Sequence, residues 1–110
     1  MKPQHSKLTN GEWQTLTLFE QMGNIGSEVS RLASSKKRND KKSADLALIR
    51  ALELIDLTVA DPRRKKQLKE ILRSRELLCD AISTKPQYKT SLEDLNKYFT
   101  QFALAARLNK

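Results

Sequence analysis

Two short clusters of cationic residues are the part of this sequence with the clearest chemical potential. The first cluster contains Lys36, Lys37, Arg38, Lys41 and Lys42. The second contains Arg63, Arg64, Lys65 and Lys66, and the cations continue along the chain to Arg73 and Arg75. Clustered cations favour a polyanionic partner, because neighbouring positive charges can neutralise neighbouring phosphates. We therefore predict that these residues contact the backbone of RNA or DNA.

The charge balance of the whole chain points the same way. Lysine and arginine number 21 against 13 acidic residues, which gives a net charge of +8 in 110 residues. Residues 36–42 could instead be a solvated loop. The second cluster follows Asp61-Pro62, which is a typical helix start. Cations at a helix start are unfavourable because they oppose the helix dipole. A phosphate bound there would interact favourably with both the cations and the free backbone N–H groups. No aromatic residue lies within either cluster, so we expect weakly sequence-specific binding through the backbone.

Arg75 stands apart because its helical position falls in the middle of an apolar face. A buried guanidinium is very costly unless it is paired. One interpretation is a structural ion pair with a core-facing acid such as Glu28, or a side chain that extends to solvent. The other is a cation that lines a groove for a phosphate or carboxylate.

The residues that enzymes use are scarce, and we predict no catalytic residue, cofactor or metal. His5 lies near the N-terminus, and Cys79 lies on an apolar stripe that predicts a small core residue. The arginine–histidine motif of HEPN ribonucleases is missing. Glu53 and Asp56 form one Glu-x-x-Asp pair, but the second acidic motif of MazG-type pyrophosphohydrolases is also missing, and divalent cations need several oxygen ligands.

Apolar periodicity predicts an all-α fold, an antiparallel four-helix bundle with up-down-up-down connections. The helices are expected at about 11–36, 43–60, 62–82 and from 91 onwards. Thr9 and Glu12 fit a capping box at the first helix start, and Gly23 and Gly26 indicate either close helix packing or a local bend. Alternating helix directions would place residues 36–42, Lys85 and Lys89 at one end and residues 63–66 at the other.

The N-terminal residues 1–8 are expected to be disordered. The length of the chain indicates one domain, at 9–110. A single cysteine excludes an internal disulfide. There is neither a signal-peptide pattern nor an apolar run of about 18 residues. We therefore predict a cytoplasmic protein without a membrane partner.

Two leucines of the second helix, Leu46 and Leu57, fall within its polar arc. They are either covered by a neighbouring helix or exposed at a partner interface. Together with Leu77 and Leu104 they support an alternative function, a protein–protein adaptor or homo-oligomeric scaffold without nucleic-acid binding.

Several stretches resemble a group of small uncharacterised bacterial helical proteins: residues 18–31, 50–53, 72–76 and 98–107. That resemblance covers about residues 16 to 109 and implies a fold and a bacterial setting, but no activity. As a short, basic four-helix bundle, the chain is also similar to the Avd accessory proteins of diversity-generating retroelements. Avd proteins form pentameric rings and bind a reverse transcriptase and nucleic acid, so this similarity implies a role as accessory to a nucleic-acid enzyme.

Overall fold

The computed structural model describes residues 10–108. Within that range the chain forms five α-helices, one 3₁₀ helix and no strand, which confirms the all-α prediction. The elements are α1 Asn10–Trp13, α2 Leu18–Lys37, α3 Lys41–Val59, a 3₁₀ helix Pro62–Gln67, α4 Leu68–Ala81 and α5 Leu92–Leu108. The predicted disordered segment 1–8, His5 and the predicted cap Thr9 lie outside the described residues.

The predicted first helix is divided between Trp13 and Leu18. Thr17 caps α2, and its hydroxyl accepts a hydrogen bond from the Glu20 backbone N–H at 3.1 Å. The Glu20 carboxylate accepts in return from the Thr17 N–H at 3.0 Å. This second capping box starts a new helix, and the break allows Trp13 to turn fully into the core.

A buried network of polar side chains fastens this break to the end of α3. The Trp13 indole N–H donates to the Thr58 hydroxyl at 2.9 Å. The Gln21 amide nitrogen donates to the Trp13 carbonyl at 3.0 Å and to the Asp61 carboxylate at 2.9 Å. All four residues are buried. A buried polar group without a hydrogen-bond partner would destabilise the fold, and these bonds supply the partners.

The long helix α2 lies at the centre of the packing. Its contacts with α3 and with α5 are more extensive than those between any other two elements. A Cβ at Gly23 would lie 3.0 Å from the Ala103 Cα, and a Cβ at Gly26 would lie 2.8 Å from the Phe99 Cβ. The two glycines therefore allow α5 to approach α2 closely, as one of the two interpretations of their positions predicted.

The core is formed by one apolar stripe from each long helix. Its buried side chains include Met22, Ile25, Val29, Leu32, Ala51, Leu54, Ile55, Ile71, Leu78, Leu95 and Phe99. The molecule measures about 35 × 30 × 25 Å. None of the described helices combines the length and the apolar content that crossing a membrane requires.

Candidate nucleic-acid interface

The turn between α2 and α3 is tighter than the solvated loop that the sequence allowed at residues 36–42. Lys36 and Lys37 belong to α2, Lys41 and Lys42 belong to α3, and only residues 38–40 lie between the helices. Asn39 adopts the left-handed conformation, with φ of 55°. The Asn39 N–H bonds to the Lys36 carbonyl at 3.1 Å, and the next N–H bonds to the Ser35 carbonyl at 2.9 Å. This pair of bonds is a Schellman motif that ends α2.

The residue that closes this motif, Asp40, also starts α3. Its carboxylate accepts from the Ser43 N–H at 3.1 Å and from the Ser43 hydroxyl at 2.7 Å. These hydrogen bonds, with smaller contributions from Arg38 and Lys42, lower the pKa of Asp40. One helix end and the next helix start thus share a three-residue connection that fixes the surrounding side chains.

The five predicted cations of this segment are all exposed: Lys36, Lys37, Arg38, Lys41 and Lys42. We call them the basic turn. The Lys37 ammonium lies 3.3 Å from the Glu93 carboxylate, and the Arg38 guanidinium lies 4.0 Å from Asp40. The other three cations form no ion pair with any residue in 10–108.

A groove of about 430 Å³ lies beside the basic turn, between α2 and α3. We call it the arginine groove, because Arg31, Arg38 and Arg50 line it together with four serines, and no described lining residue is acidic. Arg31 pairs with the buried carboxylate of Glu28 but keeps 64 % of its side chain exposed. Guanidinium groups and hydroxyls are the donors that phosphate oxygens accept from.

A second groove, of about 550 Å³, lies on the other side of the basic turn, and we call it the lysine groove. Lys36 and Lys37 line it from α2, and Lys89 and Tyr88 line it from the connection between α4 and α5. Glu93 is the one acidic residue among its described lining residues. Lys89 therefore lies at the same end as the basic turn, as alternating helix directions predicted.

The second cationic cluster behaves differently, because two of its members bind within the protein. The Arg63 guanidinium donates to the Leu16 carbonyl at 2.6 Å and to the Asp61 carboxylate at 2.7 Å. Arg64 is only 9 % exposed, and its Nε donates to the Gln21 amide oxygen at 2.8 Å. Its Nη2 also lies 3.4 Å from the Leu16 carbonyl, so the buried Arg64 guanidinium is engaged within the protein and is not part of the candidate interface.

Asp61 explains why these arginines turn inward. Its carboxylate is buried, and the hydrogen bonds from Arg63 and then from Gln21 hold the pKa of Asp61 well below its usual value. The predicted α-helical start at Pro62 is a 3₁₀ helix, which presents Lys65 and Lys66 to solvent. These two lysines are the exposed remainder of the second cluster, beside Arg63.

The two clusters lie at opposite ends of the molecule. Arg63 contacts Leu16, two residues before α2 begins, whereas the basic turn follows the end of α2. A helix of 20 residues is about 30 Å long. The sequence left open whether the clusters form one surface, and the structure separates them by about the length of α2.

Arg75 and Arg73 are both engaged in ion pairs on the surface. The Arg75 Nε donates to Asp56 Oδ1 at 3.0 Å, and 39 % of its side chain remains exposed. The structural ion pair was one of the two interpretations of Arg75, although its partner is Asp56 and not Glu28. Arg73 lies 3.3 Å from the Glu76 carboxylate and 4.5 Å from the centre of the Tyr88 ring.

The predicted partner leucines are partly covered. Leu46 lines the arginine groove, and Leu57 packs against the core. Cys79, expected in the core, is half-buried. Within the described residues no group of three His, Cys, Asp or Glu side chains is arranged to hold a metal ion.

Comparisons with protein-family models, with curated proteins and with solved structures found no match for this chain. The family resemblances suggested by the sequence therefore stay predictions.

Proposed function

We propose that this chain is a non-enzymatic module that binds the backbone of RNA or DNA through the basic turn. The observation that supports this proposal best is the exposure of five cations on and beside a rigid three-residue connection, with a cationic groove on each side. A fixed turn loses little conformational freedom on binding, so its charges can act on phosphates without first being ordered.

The architecture that we propose for this function is an antiparallel four-helix bundle of α2, α3, α4 and α5, with the turn at one end. Residue pairs between α2 and α5 support it. Gly23 approaches Ala103, and Gly26 approaches Phe99, so residue numbers rise along one helix as they fall along the other. The ion pair of Lys37 with Glu93 joins the end of α2 to the start of α5.

The expected binding is dominated by release of counterions from the phosphates. Each neutralised phosphate contributes about 0.9 to the slope of log affinity against log salt for duplex DNA. Contacts from all five cations of the basic turn would give a slope of about −4 to −5. Arg31 and Arg50, at the wall of the arginine groove, are the next side chains that the backbone would meet.

The test compares two sets of exposed lysines at opposite ends. We would measure binding of fluorescently labelled duplexes and single strands by anisotropy over a range of salt concentrations. Replacing Lys36, Lys41 and Lys42 by glutamine should weaken binding to all sequences alike and reduce the slope by about 3. The matched control replaces the three exposed lysines Lys65, Lys66 and Lys69 by glutamine and should leave the slope unchanged. Equal losses in both variants, or no binding to the wild type at low salt, would refute the proposal.

An accessory role follows from this mode of binding. A module that only binds the backbone catalyses no reaction itself, so we propose that it acts beside a nucleic-acid enzyme such as a reverse transcriptase. A complex in which nucleic acid raises the affinity of the module for such an enzyme would support the role. Binding of nucleic acid without any effect on enzyme affinity would restrict the module to the nucleic acid alone.

A second candidate function is supported by apolar side chains on the outer face of α5. Leu104 and Leu108 are 56 % and 76 % exposed and lie one helical turn apart. Such a pair suits a homo-oligomer or a protein adaptor. Light scattering at micromolar protein should show an oligomer that Leu104→Glu dissociates. A monomeric wild type would remove the homo-oligomer.

A further inference from the structure

Tyr88 is an exposed aromatic side chain that the fold brings to the basic turn from about 50 residues further along the chain. It is 38 % exposed and lines the lysine groove beside Lys36, Lys37 and Lys89. The sequence clusters contain no aromatic residue, and Tyr88 has only Lys89 as an adjacent cationic neighbour in the sequence, so the tertiary structure brings the ring to Lys36 and Lys37.

The Tyr88 side chain is held in place at several points. Its hydroxyl donates to the Glu76 carboxylate at 2.7 Å, and its backbone N–H donates to Asp80 Oδ2 at 3.1 Å. The Arg73 guanidinium lies over the ring, 4.5 Å from its centre. Asp80 also accepts from the Gln87 N–H at 2.8 Å, so its carboxylate holds two successive backbone amides of the connection. A surface tyrosine with its rotamer fixed loses little entropy when a partner stacks on it.

We propose that Tyr88 is a stacking platform for an unpaired nucleotide base, so that the basic end prefers single-stranded over double-stranded nucleic acid. This inference rests on the proposed backbone binding and names the class of nucleic acid. Lys36, Lys37 and Lys89 would hold the phosphates while a base lies against the ring. Aromatic side chains between cations are how proteins bind single strands with little sequence preference, since every base has a stacking face.

A preference for single strands would be diagnostic, because electrostatic attraction alone favours the duplex. A duplex carries more charge per unit length than a single strand, and its backbone contacts give the steeper salt dependence. In a duplex the bases are paired and stacked on one another, so they are closed to Tyr88. Tighter binding of a single strand therefore requires a contact with the bases themselves.

The experiment measures anisotropy of labelled 12-nucleotide single strands and matched 12-base-pair duplexes at fixed salt, with separate RNA and DNA arms. We expect wild-type protein to bind the single strands more tightly. Tyr88→Ala should weaken single-strand binding by about tenfold and change duplex binding less than about twofold. Tyr88→Phe keeps the ring and should bind single strands nearly as wild type does.

A strand of abasic nucleotides provides a test that needs no variant. It keeps the phosphates and lacks the bases, so wild-type protein should bind it about tenfold more weakly than the normal strand. Equal affinity for both strands would overturn the stacking role, as would a Tyr88→Ala variant that weakens duplex and single strand alike. Those results leave backbone binding intact, whereas no binding to any of the probes at low salt would overturn both proposals.

Discussion

Replacement of Gly26 by alanine should destabilise the protein, although alanine is the better helix former. In the interior of a helix, alanine is favoured over glycine by about 1 kcal/mol. The new methyl group would lie 2.8 Å from the Phe99 Cβ and 3.3 Å from the Phe99 carbonyl carbon and oxygen. Normal carbon contacts are about 3.5–4.0 Å, so α2 and α5 would have to separate by several tenths of an ångström.

The structure gives little room to relieve this overlap. The atoms that the methyl group meets belong to the backbone and the Cβ of Phe99, whose ring is fully buried. Overpacking of this kind costs about 1–3 kcal/mol. After the propensity gain is subtracted, we expect a net loss of about 1–2 kcal/mol in the free energy of unfolding, because rigid neighbours place the cost at the upper end.

Urea unfolding followed by circular dichroism measures this loss, and Asn24→Ala is the matched control. Asn24 is exposed on the same helix, so its replacement by alanine should stabilise the protein by about 0.5 kcal/mol. In thermal unfolding, the midpoint temperature of the Gly26→Ala variant should lie about 4–8 °C below that of the wild type for each kcal/mol lost. A variant as stable as the wild type would refute the close contact between α2 and α5.

Three further predictions concern the buried network and the basic turn. Gln21→Ala removes the buried hydrogen bonds that the Gln21 amide makes to Asp61 and Arg64 and should cost about 2–4 kcal/mol in urea unfolding. The pKa of Asp61 is lowered in the folded state, chiefly by Arg63. The ionised Asp61 carboxylate therefore stabilises the fold fully above about pH 4, and this contribution is lost as the pH falls further. Asp61→Asn should therefore lower stability at neutral pH and flatten its dependence on pH below about 4, and an unchanged acid profile would contradict this. Asn39→Gly should leave stability equal or slightly higher, because glycine adopts the same positive φ without strain, whereas Asn39→Val should cost about 1–2 kcal/mol.

The helices could be predicted from the sequence because their signals are local. Apolar spacing predicted a second helix at 43–60, and the structure has Lys41–Val59. The break after Trp13 was missed, because the chain carries capping signals at both Thr9 and Thr17. Whether the helix that begins at Asn10 continues or ends at Trp13 depends on the burial of Trp13 against Thr58, which lies 45 residues away.

The candidate site could be predicted only in part, because local patterns do not indicate contacts between distant parts of the chain. The exposed cations of the basic turn follow from local composition. The inward orientation of Arg64 depends on Gln21, 43 residues away in the chain, and no local pattern indicates that contact. The Asp-Pro-Arg-Arg sequence at 61–64 offered one signal, since an acid at a helix start can pair with the arginines that follow it.

The aromatic component of the site was hidden in the sequence. Tyr88 lies in a polar connection whose position depends on how α4 and α5 pack. The bundle topology predicted that Lys89 would lie at the same end as the basic turn. Topology does not determine the rotamer of a neighbouring tyrosine, which here depends on Glu76 and Arg73.

The central claim is that nucleic acid binds at the end of the molecule that carries the basic turn. The most direct measurement is a titration of ¹⁵N-labelled protein with a 12-nucleotide single strand, followed by amide chemical shifts. We expect the shifts to concentrate at residues 34–44 and 86–93, with the Trp13 indole and residues 61–67 unchanged. Shifts centred on residues 61–67, or no shifts at low salt with excess strand, would contradict it.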